Sequence, residues 1–122
     1  MNFSILYVDD EFLNLVSMKI LLERNYPLIK LYTAYSVQEA LACLEGNTIQ
    51  IVLTDYKMPG ENGLDLLNIV KEKYPHCGRF ILTGFSDLED IQEAIVHGLI
   101  HKVYEKPVVY ESMLQEFLDF LK

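Results

Sequence analysis

A small set of polar residues stands where apolar runs break off, and their types fit one chemistry. Asp9-Asp10-Glu11 follows the run from Phe3 to Val8, and Asp55 follows Ile49 to Thr54. Thr83-Gly84 closes the run that begins at Arg79, and Lys106-Pro107 lies just past Leu99 to Tyr104. Aspartates gathered at one point repel one another and raise one another's pKa unless positive charge compensates. A hard divalent cation does so: Mg²⁺ takes oxygen ligands, accepts one or two carboxylates, keeps waters and leaves room for phosphoryl oxygens. No His or Cys stands among these residues, which argues against zinc or copper. Lys106 brings a point charge able to pair with Asp55 or a phosphoryl oxygen, and the Thr83 hydroxyl can donate to the same group. Phosphoryl transfer needs such parts, because positioning and charge neutralisation carry its catalysis. A carboxylate can itself be the nucleophile and form an aspartyl phosphate. Singly each residue is commonplace, since an Asp-Asp pair also serves as a solvated turn or a helix N-cap. Joint placement is what counts.

That placement follows from alternating patterns. Phe3 to Val8, Leu28 to Thr33, Ile49 to Thr54, Arg79 to Thr83 and Leu99 to Tyr104 read as strands. The run Ile51-Val52-Leu53 shows no polar alternation, as expected of a parallel strand covered on both faces. Between them lie helical periodicities. Glu11 to Arg24 carries Leu13, Val16 and Ile20 at helical spacing. Ser36 and Glu39 form a capping box that opens a helix with Val37, Ala40, Leu41 and Leu44 on one face, and Gly46 suits a C′ position with positive φ. Asn62 can cap a helix with Leu66, Leu67 and Val70 that stops near Tyr74-Pro75. Ser86 and Glu89 form a second box before Leu88, Ile91 and Ile95, with Gly98 at the close. A last helix places Leu114, Phe117, Leu118 and Leu121 together. Five βα units imply a mostly parallel sheet with helices on both sides. In such sheets ligands sit outside the carboxyl ends of the strands, where the polar set falls.

Composition sets the outer bounds. The chain of 122 residues has 51% hydrophobic and 23% charged residues, the balance of one globular domain. Ten Lys and Arg against 18 Asp and Glu give a net charge of 10 − 18 = −8. Such a surface repels phosphate backbones and anionic lipid, so direct nucleic-acid or membrane binding is not expected. Cys43 and Cys77 match no metal or redox spacing and read as reduced thiols of a cytoplasmic protein. His76, His97 and His101 lie away from the strand carboxyl ends and read as surface or packing residues. No secretory leader pattern opens the chain, and no apolar stretch approaches the roughly 20 residues of a membrane span.

With these residues in place, the chain resembles the receiver domain of two-component response regulators over nearly its whole length. The resemblance rests on Val8-Asp9-Asp10-Glu11, on the string from Asp55 through Met58-Pro59-Gly60 to Gly63, on Leu82-Thr83-Gly84 and on Glu105-Lys106-Pro107. It implies a single receiver domain over 1–122 with the flavodoxin-like doubly wound (βα)5 fold, a five-stranded parallel sheet in order 2-1-3-4-5. Asp55 would be the phospho-acceptor. Mg²⁺ would be bound directly by Asp10 and Asp55, mostly through water by Asp9, and by the backbone carbonyl of Lys57. Thr83, Lys106 and the Gly84 N–H would contact the phosphoryl group, and Lys106-Pro107 would be cis. The donor would be a sensor histidine kinase or a phosphotransfer protein, with a small acyl phosphate able to substitute. The implied role is a switch rather than an enzyme, with self-catalysed phosphotransfer and autodephosphorylation. Its partner surface would be formed by the fourth helix, fifth strand and fifth helix, acting on a downstream output domain or protein, with phosphorylation-dependent dimerisation open.

One departure stands out. Receivers usually carry an aromatic residue three positions before the lysine; here that position is Val103, with Tyr104 beside it on the opposite pleat face. The expected switch therefore relies on movement near Thr83-Gly84-Phe85. Lys57 and Phe85 stand beside the site and are expected to influence the lifetime of a phosphoaspartate. Two rival readings remain: a pseudo-receiver that binds partners unphosphorylated, and a haloacid-dehalogenase-like phosphatase. The latter wants a second Asp two residues after its nucleophile, where this chain has Lys57.

Overall fold

A computed structural model of the chain describes residues 3–84 and 88–122. The elements are β1 (Phe3–Val8), α1 (Phe12–Asn25), β2 (Ile29–Ala34), α2 (Val37–Gly46), β3 (Ile51–Asp55), β4 (Lys57–Met58), β5 (Glu61–Asn62), α3 (Gly63–Lys73), β6 (Gly78–Thr83), α4 (Glu89–Val96), β7 (Lys102–Glu105) and α5 (Tyr110–Phe120). Strands β4 and β5 form only a two-stranded antiparallel hairpin. The other five pair in parallel in the order β2-β1-β3-β6-β7. Numbered within that sheet alone, this is the 2-1-3-4-5 arrangement of the flavodoxin-like fold.

Apolar side chains alternate across the sheet and build one core on each face. Leu6, Val8, Val52 and Ile81 meet Ala40 and Leu44 of α2, Leu66, Leu67 and Val70 of α3, and Ile91 and Ala94 of α4. Ile5, Tyr7, Leu53, Phe80, Leu82 and Tyr104 meet Leu15, Met18 and Leu22 of α1 and Met113, Leu114 and Phe117 of α5. Strands β3 and β6 are buried along their full lengths, as central strands covered on both faces must be. The short hydrophobic runs thus end in step at one sheet edge.

Several local expectations shift. On α1 the buried residues are Leu15, Met18 and Leu22, whereas Leu13 is 76% and Ile20 45% exposed. This helix is apolar almost all round, so periodicity alone did not select the face that docks. On α4 the buried pair is Ile91 and Ala94, and Leu88 and Ile95 face outward. Gly46 ends α2 without positive φ, since only Gly60 and Gly98 adopt it among the described residues. The Asn47 side chain closes that helix instead, donating from Nδ2 to the Cys43 carbonyl at 3.0 Å. Ser36 accepts from the Glu39 N–H as a capping box requires, but Glu39 reaches back to the Tyr35 N–H rather than to that of Ser36. Ser86 lies outside the described residues, and Leu88 is the N-cap residue of α4, with no side-chain cap bond. The fifth sheet strand begins at Lys102, not at Leu99. The Leu99 N–H instead bonds the Ala94 carbonyl, and its own carbonyl accepts from Arg79 Nε at 2.8 Å.

Candidate functional site

The carboxyl ends of β1, β3 and β6 lie side by side, and the register fixes what they carry. Val8 pairs with Thr54, and Asp55 pairs with Leu82, so Asp9, Asp55 and Thr83 emerge along one edge. Asp9, Asp10 and Asp55 each present a carboxylate oxygen within 4.8 Å of the other two. Asp9 and Asp55 are buried, 0% and 4% exposed, while Asp10 is open to solvent. Lys106, delivered by the loop after β7, places Nζ 2.9 Å from Asp55 Oδ1. Its backbone is tied to the same edge, the Lys106 N–H donating to the Thr83 carbonyl at 2.9 Å. The Lys106–Pro107 peptide is cis. Thr83 is buried at the end of β6, and Gly84 follows it at the surface.

Electrostatics follow from this crowding. Burial raises the Asp55 pKa, and the neighbouring Asp9 and Asp10 charges add to the rise while the Lys106 ammonium opposes it. Burial works against the Lys106 charge, but Asp55 outweighs that, helped by Asp9 and Glu11, and its pKa goes up. One lysine facing three carboxylates leaves the cluster short of positive charge. The donor set is all oxygen and contains neither imidazole nor thiolate among the described residues, which suits a hard cation better than a transition metal.

The string after Asp55 has a mechanical reason. Met58-Pro59-Gly60 turns the chain into the β4–β5 hairpin, with Gly60 at φ 74°, a conformation a β-carbon disfavours. The hairpin delivers Gly63, the first residue of α3, against the end of β3. Its N–H bonds the Tyr56 carbonyl, and a β-carbon there would sit 2.4 Å from the Asp55 carbonyl oxygen. Asn62 caps α3, accepting from the Asp65 N–H at 3.0 Å. Lys57 lies on the exposed side of the hairpin and lines an open cleft of about 640 Å³ with Tyr56, Met58 and Glu61. Phe85 lies outside the described residues.

The structure therefore brings Asp9, Asp10, Asp55 and Lys106 together, sets Thr83 and Gly84 at the adjoining strand end, and puts Lys57 on the neighbouring hairpin. Val103 packs on the core under α2, α3 and α4, while Tyr104 points into the opposite core. Two contributors were missed in the sequence. Tyr7 donates its hydroxyl to Asp9 Oδ2 at 3.1 Å, and Asn14 donates Nδ2 to the same oxygen at 3.0 Å. Period-two alternation could have found Tyr7, which shares its pleat face with Asp9. Asn14 had no such signal beyond its place in the first turn of α1.

Comparison with known proteins identifies the family and the fold. The family model of the response regulator receiver domain matches residues 5–117. An uncharacterized response regulatory protein of Staphylococcus epidermidis is 31% identical over 120 residues, covering 98% of this chain and 46% of that protein. The hydrogenase transcriptional regulatory protein HoxA of Cupriavidus necator is 29% identical over 111 residues, covering 91% of this chain and 22% of its own length. The chain thus spans less than half the length of either relative. A CheY-like response regulator receiver domain protein from Methanospirillum hungatei superposes with a TM-score of 0.88 at 27% identity, covering 99% of this chain and 94% of the other. The chain belongs to the response regulator receiver domain family.

Proposed function

We propose that residues 1–122 act as a single receiver domain whose Asp55 accepts a phosphoryl group in a Mg²⁺-dependent reaction. The observation that carries this reading is the cluster of Asp9, Asp10 and Asp55 oxygens within 4.8 Å, with Lys106 Nζ 2.9 Å from Asp55. Asp10 and Asp55 would hold the cation directly, Asp9 mostly through water, and the Lys57 carbonyl would add a ligand. The cation supplies charge neutralisation for the phosphoryl oxygens when bound. An Asp55 carboxylate oxygen attacks phosphorus, the bond to the donor's imidazole nitrogen breaks, and that nitrogen keeps the electron pair and takes a proton from solvent water. Lys106 moves its charge from Asp55 to a phosphoryl oxygen, and Thr83 and the Gly84 N–H donate to the others. Hydrolysis of the acyl phosphate by water resets the site, so the domain turns over only its own phosphoryl group.

The donor in this reading is a sensor histidine kinase or a phosphotransfer protein, which places the domain in the cytoplasm. Among the described residues no helix is long and apolar enough to cross a membrane. Output would pass through the face of α4, β7 and α5 to a downstream domain or protein. HoxA, by its name a transcriptional regulator, makes a longer regulator of that kind a reasonable context. Val103 is too small to perform an aromatic swing, so the change is expected near residues 83–85. Amide shifts recorded with and without beryllofluoride and Mg²⁺ test the switch. Changes across residues 83–110 are expected, and identical spectra of the two forms would refute it.

A further inference from the structure

Asp9 differs from Asp55 in being held by hydrogen bonds and not by a close ion pair among the described residues. Its Oδ1 accepts the Glu11 N–H at 2.9 Å, and its Oδ2 accepts from Asn14 Nδ2 and from the Tyr7 hydroxyl. Three neutral donors therefore hold an aspartate that is 0% exposed. Such donors fix its orientation. Tyr7 is the one donor that comes from inside the sheet. It is itself 0% exposed, between β1 and the core under α1 and α5. A hydroxyl in that core is costly without a partner, and Asp9 supplies one. Tyr110, in the first turn of α5, packs on the same core.

We infer that Tyr7 is a positioning residue that presents the Asp9 carboxylate to the cation and its water. Its hydroxyl holds Oδ2 from the core side while Asn14 Nδ2 holds the same oxygen from α1, so the carboxylate is aimed before a cation arrives. The inference rests on the proposed cation site and adds a residue to it.

The test is a Mg²⁺ titration of the full chain followed by NMR in the wild type and in Tyr7→Phe. In the wild type, the amides of Asp9 and Asp10 are expected to shift on binding. In Tyr7→Phe the fold persists and Mg²⁺ binds about tenfold more weakly, as loss of a partner behind a ligand causes. Wild-type affinity in folded Tyr7→Phe overturns the inference and leaves the cation site standing. If Tyr7→Phe fails to fold, the Tyr7 hydroxyl proton of the wild type decides: it should shift as Mg²⁺ is added, and an unchanged resonance overturns the inference. No Mg²⁺ response in the wild type removes the cation reading and this inference with it.

Discussion

Asp10→Asn should stabilise the metal-free protein and destabilise it relative to wild type once Mg²⁺ is present. The Asp10 carboxylate lies within 4.8 Å of those of Asp9 and Asp55, and no hydrogen bond holds its side chain among the described residues. One pair of unit charges at 4.8 Å repels by about 3 kcal/mol at an effective dielectric near 20. Asp10 is exposed, so solvent screening reduces the net gain from neutralising it to about 1 kcal/mol. For a domain of this size that is roughly 4 °C in Tm. Thermal unfolding in EDTA and in saturating Mg²⁺ gives four values. In EDTA the variant should melt higher. In Mg²⁺ the order should reverse, because the variant has lost a ligand and gains less from the cation. A variant that melts below wild type in both buffers would refute the repulsion argument. One that melts above it in both would remove Asp10 from the metal site.

Gly63→Ala forces a β-carbon to within 2.4 Å of the Asp55 carbonyl oxygen, so it should cost about 1–3 kcal/mol of stability and slow acceptance of phosphoryl groups; an unchanged urea midpoint would contradict the packing described. His101 Nδ1 accepts the Arg79 backbone N–H at 2.8 Å, and burial, then the Arg79 charge, lowers the His101 pKa. Because the folded value lies below the unfolded one, its stabilisation is complete above about pH 6.5 and is lost as pH falls through the folded value. Wild type should therefore lose more stability than His101→Gln between pH 7.5 and pH 5, and equal losses in urea titrations would exclude this linkage. Lys57→Ala removes a bulky charged side chain from the hairpin that follows Asp55 and should shorten the lifetime of the phosphorylated form; an unaltered decay rate would remove Lys57 from control of hydrolysis.

The sheet and its polar edge were legible in the sequence because both depend on runs that a single chain displays. Ile51-Val52-Leu53 had one reading, and Asp55 at its end had one place to go. Asn62 at the start of α3 was equally plain, since a cap is a local bond between neighbours. What escaped depended on partners distant in the chain. The docking face of α1 was hidden because Phe12, Leu13 and Ile20 are as apolar as Leu15 and Met18, and only the sheet decides between them. Leu99 and Ile100 looked like strand because they are apolar and buried, but the Leu99 carbonyl is engaged by Arg79. Arg79 stands at the start of a strand run with nothing in the sequence to mark it as buried, yet it is 5% exposed and donates to the carbonyls of Pro75, Cys77, Gly98 and Leu99. At the site, charge and spacing revealed Asp9, Asp10, Asp55 and Lys106. Tyr7 passed for one more core residue, since a strand tyrosine advertises its ring and not the partner of its hydroxyl.

The most direct test of Asp55 as acceptor is the intact mass of the chain after incubation with acetyl phosphate and Mg²⁺, beside an Asp55→Asn control. One added phosphoryl group is expected in the wild type, absent without the metal and absent in the control. A wild type that binds Mg²⁺ yet gains no mass, or a control that gains the same adduct, would contradict it.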